Sequence, residues 1–405
     1  MKYYLFALSG LLFFGCEQKP DIIIHPVKEL FPVEAEIDHK IELEGTDFGV
    51  IKSVLNPYET EIYSKIKADS KLSEEYFYFN RPPKKLDVDP DQNIFIIQRH
   101  LNRVNVYNKS GIFLYSIGRE GRGPGEFLQI NTFDFSEDYN KLYVLDALKI
   151  EVFIKKDEIF EYLKTIPLRL QGVSDLCILN GKVFVSGSRI NNSELEKLAE
   201  LESQTERMER VSELSLSRPI HRIDSESGDY EFDFGFLYES PGNIGPISAL
   251  LTETMLTCNK QTNTVIGVLT YYPFIFGYNV AGNRIWTSEI TDFKSVETIE
   301  EHTPDRGPVL TRFSNNDIFN RYLPLKSTDS KYSILQTVYN YPQGEDNAKS
   351  EMPNPRVKTI LINSESGELS LKKYHSFIGV QNNGLMITVD IDSVSYIASF
   401  SIFEY

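Results

Sequence analysis

Tryptophan occurs once in this chain of 405 residues, cysteine three times, methionine five times and histidine six times. Three cysteines are too few for a disulfide-stapled scaffold. The six histidines, His25, His39, His100, His221, His302 and His375, include no pair at the short spacing of a zinc site. Positive charge is also scarce: Lys and Arg number 42 against 58 Asp and Glu, the net charge is −16, and no basic run exceeds a pair. A general binder of phosphate backbones needs the opposite balance, so nucleic acid is excluded as a partner. After the first residues no apolar run is long enough to cross a bilayer. The chain carries no G-x-S-x-G elbow, no H-E-x-x-H helix and no P-loop, so no nucleotide or other cofactor is expected.

What is present points to sheets. Hydrophobic residues make up 41% and charged residues 25%, enough to bury a large core. Tyr and Phe supply 23 and 26 residues, and flat aromatic side chains favour pleated surfaces.

The amino terminus differs from the rest. Lys2 precedes the apolar stretch "YYLFALSGLLFF", and Gly15-Cys16 follow directly. A short positive region, a short apolar core and a small residue before a cysteine make a secretion signal over 1–15 that resembles a bacterial lipoprotein signal. The resemblance implies lipidation at Cys16, a tether over 16–40 punctuated by Pro20, Pro26 and Pro32, and anchoring to the membrane by acyl chains. The address expected is the bacterial cell envelope, at the outer membrane, on its periplasmic face or at the cell surface. The alternative is an ordinary signal peptide with an incidental cysteine. Cys177 and Cys258 lie in apolar runs and are expected to be buried thiols, with pairing the other outcome in an oxidising compartment.

From Ile41 onward one unit recurs. "LDVDPDQNIFIIQRHLNRVNVYNKSGIFLYSIG" reads as strands Leu86 to Val88, Ile94 to Gln98, Arg103 to Tyr107 and Ile112 to Ile117, joined by tight turns. Four short strands of this kind make a propeller blade. Further copies run through Phe133 to Ile166, from Ser174 with an Asn180-Gly181 hairpin turn, and through Asn263 to Ile290. "SILQTVYNYP" with "VKTILINSESGELSLKKY" gives a fifth, and the last residues, with a turn at Asn382-Asn383-Gly384, give a sixth. A strand within Ile41 to Val54 is expected to complete that last blade and remove an open sheet edge. "NNSELEKLAELESQTERMERVSEL", 191–214, is rich in helix formers without Gly or Pro and predicts a helix inserted in the third blade.

The stretch from Leu86 to Phe127, with its hydrophobic-Asp first strand, Arg103 opening the third and a Gly-rich segment ending in Glu-Phe, resembles an NHL repeat. Together with the signal, the chain resembles the six-bladed β-propeller lipoproteins of Bacteroidetes. The resemblance implies an all-β fold over 41–405 of six four-stranded antiparallel blades, and it implies no defined reaction. One departure stands out: the Asp that ends the second strand of the repeat is Gln98 here, whereas Asp146 keeps it in the next blade.

Functional candidates lie in the loops. "GREGRGPGEF" has the glycines of a phosphate cradle but neither the Lys-Ser/Thr nor the following helix, and it reads as the corner between blades. The expected ligand-contacting residues are Arg99, His100, Arg119, Glu120, Arg122 and Glu126, with an Arg122–Glu126 pair fixing the corner as the structural alternative. "DVDPDQN" starts like a calcium loop but has Gln92 and Gln98 where Gly and an acidic ligand are needed, so it is read as a turn. Tyr271, Tyr272, Phe274, Phe276 and Tyr278 are expected in the core, with stacking on a sugar or peptide as the other reading. The function expected is a non-catalytic, lipid-anchored binding or scaffold module for a peptide, protein or glycan. The alternative is a lactonase-like or lyase-like propeller enzyme with a divalent metal in its channel, to which His100 and His302 would converge.

Overall fold

The computed structural model describes residues 21–25, 37–41, 60–61, 85–98, 101–109, 112–188, 218–236, 253–270, 272–293, 295, 298–303, 307–311, 319–322, 324–340, 357–372, 377–391 and 398–404. Six sheets follow one another along the chain, each built mainly from antiparallel strands that pair in sequence order. Blade one comprises Leu86–Val88, Ile94–Gln98, Arg103–Tyr107 and Phe113–Ile117. Blade two runs from Ile130–Phe135 to Ile159–Pro167, and blade three from Gln171–Leu179 to Tyr230–Phe234. Blade four runs from Thr254–Asn259 to Arg284–Ile290. Blade five begins with Phe319–Tyr322 and Lys326–Ser327, both paired to Tyr332–Asn340, and ends at Leu369–Lys372. Blade six contains Phe377–Asn382, Leu385–Ile391 and Ala398–Glu404. From blade two round to blade six the inner strands of successive blades neighbour one another, that of blade six neighbours that of blade one, and blade one meets blade two through Phe95 and Phe133, so the ring closes.

Closure uses an amino-terminal strand, as the pattern predicts, but a different one. Thr60–Glu61 pairs antiparallel with Ala398–Glu404 and makes the fourth strand of blade six. Within the expected 41–54 segment only Ile41 is described, and it ends His39–Ile41, which adds in parallel to the outer strand of blade four. Asp21–His25 pairs with Thr298–Thr303 in a separate three-stranded sheet. Two pieces of the segment read as a tether are therefore docked strands. The predicted helix at 191–214 lies outside the described residues.

The core sits between blades. Phe95 of blade one meets Phe135 of blade two edge-on at 4.9 Å between ring centroids, with Phe133 and Phe160 completing the cluster. Such pairs add to the burial of large apolar area. Between blades three and four, Cys177 and Cys258 form a disulfide, which replaces the expected buried thiols. The two cysteines lie on the innermost strands of neighbouring blades, with Cα atoms 5.5 Å apart, and that adjacency exists only once the ring is assembled. Tyr272, Phe276 and Tyr278 are buried in the same cluster and Phe274 packs against it, which is the expected core role; Tyr271 lies outside the described residues.

Four antiparallel strands put the entry to a blade, the connection between its second and third strands and its exit at one end. The other two connections lie at the opposite end. At that opposite end every described connection has five residues or fewer. Asx side chains build these turns: Asn108, Asp224, Asn259 and Asn279 each accept a hydrogen bond from a backbone N–H further along the loop. Asn180-Gly181 has both residues at positive φ, the geometry of the hairpin turn its sequence predicts. We call this the turn face, and the other the junction face.

Candidate functional site

The junction after blade one shows how the local sequence makes a rigid corner. Gly118 has φ +75°, and a Cβ there would stand 2.0 Å from the Phe127 ring, so only glycine fits. Arg119–Glu120 and Glu126–Phe127 form a short parallel ladder, with Arg119 opposite Glu126. Arg119 donates from Nε to Glu126 Oε1 at 2.9 Å, and the Gly123 N–H donates to Glu126 Oε2 at 2.8 Å. These bonds, the Gly123 N–H first and Arg119 second, hold the Glu126 carboxyl below the usual carboxylate range. The corner is thus fixed by Arg119 and Glu126 rather than by the expected Arg122–Glu126 pair. Arg119 and Glu126 face each other across the ladder, while the Arg122 side chain points to solvent. Glu120 and Arg122 are exposed at the junction face, and Arg99 and His100 lie outside the described residues.

A recurring carboxylate lines the innermost strands. Asp134 accepts from the Phe135 N–H of its own strand and from the Ile178 N–H of the next blade at 2.9 and 2.8 Å. Asp175 repeats the pattern with Leu176 and with Leu256 of blade four, both at 3.1 Å. Asp87 takes the Val88 N–H at 2.8 Å and an amide N–H of Asn382 from blade six at 3.3 Å. Asp146, the residue that ends the second strand in the repeat, accepts from the Leu128 and Gln129 N–H groups and braces the chain entering its own blade. In blade one the corresponding Gln98 is buried, and its amide has no hydrogen-bond partner among the described residues.

Two lysines enter this ring of carboxylates, and sequence reasoning missed both. Lys85 stands 3.6 Å from Asp87 and 5.8 Å from the centre of the Phe133 ring. Burial works against its charge, but Asp87, Asp134 and Asp175 together hold its pKa above the ordinary value. Lys326, on the short inner strand of blade five, is 7% exposed. Burial, with the Lys85 charge adding to it and Asp87 opposing, brings its pKa down to about 7. Residues of blades one, two, three and five thus act on one another electrostatically, which places them around the axis. The recurring Asp of "LDV", "FDF" and "SDL" is a signal that reading could have used; the lysines carry none, being single residues in separate blades.

At the turn face this axial cluster is covered. The Tyr139 hydroxyl of blade two accepts from the Asn382 and Asn383 amides of blade six at 3.2 and 3.1 Å. Lys260 of blade four lies over the Tyr139 ring at 5.4 Å and donates to the Phe135 carbonyl at 2.8 Å. The calcium-like loop is a turn: Asp89 accepts from the Asn93 N–H at 2.8 Å, and Lys155 of blade two pairs with Asp89 and Asp91. Among the described residues no three His, Cys, Asp or Glu side chains gather as a metal site. His100 lies outside those residues, and His302 falls on Thr298–Thr303, opposite Asp21. Among the described residues no helix is long and apolar enough to cross a membrane.

Residues 84–212, from blade one into blade three, match the family model DUF5128, described as a 6-bladed beta-propeller. No curated protein matches the chain. Among solved structures, a DUF4221 member from Bacteroides vulgatus is similar at 11% identity, with 82% of this chain and 95% of that one covered and a TM-score of 0.48. Virginiamycin B lyase from Staphylococcus aureus is similar at 13% identity, with coverages of 80% and 97% and a TM-score of 0.38.

Proposed function

We propose that the chain is a lipid-anchored propeller of the bacterial cell envelope that binds a peptide, protein or glycan on its junction face, with Cys16 as the acylated residue. The observation that carries this reading is the asymmetry of the two faces. Connections on the turn face are short and spent on their own hydrogen bonds, whereas the described corner 118–129 on the junction face is longer than any of them. Long connections on a rigid scaffold are where binding residues concentrate. Glu120 and Arg122 fit the role because they project from a corner that Arg119 and Glu126 already hold. The test is retention of envelope peptide, protein and glycan fractions on the immobilised mature chain and on Glu120→Ala/Arg122→Ala. Retention of one fraction, lost by at least about tenfold in the variant at unchanged melting temperature, is expected, since surface changes of this kind leave stability nearly untouched. Equal retention by both proteins would contradict the site. Anchoring is tested separately: Cys16→Ser is expected to lose palmitate labelling and move to the soluble fraction.

A further inference from the structure

The junction end of blade two exposes apolar side chains and unspent positive charge together. Leu148, in the connection between the second and third strands, is 63% exposed, and Leu128, near the end of the corner, is 43% exposed. Hydrogen bonds bring these elements to one place. The Leu128 N–H donates to Asp146 Oδ2 at 3.2 Å, two residues before Leu148, and the Leu148 carbonyl accepts the Leu168 N–H at 2.9 Å. Lys149 Nζ donates to the Gly123 carbonyl at 3.1 Å, which ties the middle of the corner to the same connection. Arg122 and Pro124 flank Gly123, Arg169 follows Leu168, and all three are exposed.

Other ionic groups of this end are spent, Arg119 on Glu126 and Lys149 on Glu151. The guanidinium groups of Arg122 and Arg169 enter no ion pair or hydrogen bond among the described residues. Glu120, also exposed on the corner, offsets one of them, so the balance stays positive in a chain whose net charge is −16. The opposite face has the reverse balance: connections 89–93, 136–140, 157–158, 225–229 and 364–368 each carry two acidic residues and no lysine or arginine. An acidic segment is therefore repelled from the turn face and meets positive charge at this end of blade two.

We infer that this end of blade two takes an acidic peptide segment bearing aliphatic side chains, with Arg122 and Arg169 holding its carboxylates and Pro124, Leu128 and Leu148 covering its aliphatic groups. The planar guanidinium fork matches a carboxylate, and covering the two leucines removes apolar surface from water. A sugar would set hydroxyl groups against those leucines without hydrogen bonds, which costs free energy. The inference rests on the junction-face reading and narrows its ligand to one class.

The probe is a short fluorescent peptide of alternating Asp and Leu, titrated with the mature chain by anisotropy. Two control peptides carry Lys for Asp or Ser for Leu. The Asp–Leu peptide is expected to bind about tenfold more tightly than either control and to weaken as salt rises. Arg169→Ala and Leu148→Ser are each expected to weaken it about fivefold at unchanged melting temperature, both side chains being at the surface. That loss upholds the inference whichever envelope fraction the chain retains. Absence of binding, equal binding of the three peptides, or equal binding by wild type and both variants would overturn it. An envelope fraction lost in Glu120→Ala/Arg122→Ala, with no preference for the Asp–Leu peptide, would overturn the inference and leave the junction-face reading standing.

Discussion

The two ends of the same blades do different work. At the turn face, Asn and Asp side chains satisfy their own loops, Tyr139 covers the axis, and the disulfide lies within two residues of the inner-strand ends Leu179 and Asn259. At the junction face the one fully described long corner is held by two glycines and an ion pair, and it leaves Glu120 and Arg122 in solvent. Between the faces lie Asp87, Asp134 and Asp175, which staple blade to blade and together act on Lys85. The lesson is that cohesion is concentrated at one end, so sequence change at the other is tolerated by the fold.

The largest effect should come from the turn-face half. Removing the disulfide as Cys177→Ala/Cys258→Ala frees a loop spanning 81 residues. On a chain-entropy argument this costs about 4 kcal/mol, read from the denaturant midpoint. A loss below about 1 kcal/mol would show that the inner strands of blades three and four hold together without it.

Gly118→Ala attacks the junction corner itself. The added Cβ meets the Phe127 ring and must adopt a positive φ, so a loss of about 3 kcal/mol is expected in the same assay. This is the one place where the junction face should be as sensitive as the turn face.

Among the buried charges near the axis the sign reverses. The folded pKa of Lys326, about 7, lies below the unfolded value. Between the two, the unfolded chain binds more protons, so stability rises with pH across that window, and the charged form is disfavoured at neutral pH and below. Lys326→Met is therefore expected to stabilise the protein at pH 7 by about 2 kcal/mol and to flatten the rise from pH 7 to 10. A destabilised variant would mean that the amine supports the fold.

Much of this contrast was legible in the chain. Leu86–Val88, Ile94–Gln98 and Arg103–Tyr107 fall where alternation and turn residues put them, because those signals are local. The closing strand was not, since Thr60–Glu61 is two residues long and gains its meaning only from Ile402 and Ser401 at the far end of the chain. The disulfide and the lysines failed for the same reason: Cys177 meets Cys258 across separate blades, the Lys85 charge acts on Lys326 across separate blades, and no spacing in one blade encodes a neighbour in another. Of the site, Arg119 and Glu126 were found but assigned to the ligand, whereas the register of their ladder spends them on each other.

The smallest effect belongs to the rim. Arg119→Ala removes a partner whose side chain is 80% exposed, so the denaturation midpoint at neutral pH should barely move. Because Glu126 is held below the ordinary carboxylate range, its contribution is present above the unfolded carboxylate pKa and lost as pH falls through the lower folded value. The variant should remove the part of that acid dependence due to Arg119.

The division of labour between the faces is tested most directly by photo-crosslinking in living cells, with a photoreactive side chain placed at Arg122 on the junction face or at Asp157 in a turn-face hairpin. The account predicts a discrete adduct from position 122 and none from position 157. An adduct from 157 alone would contradict it.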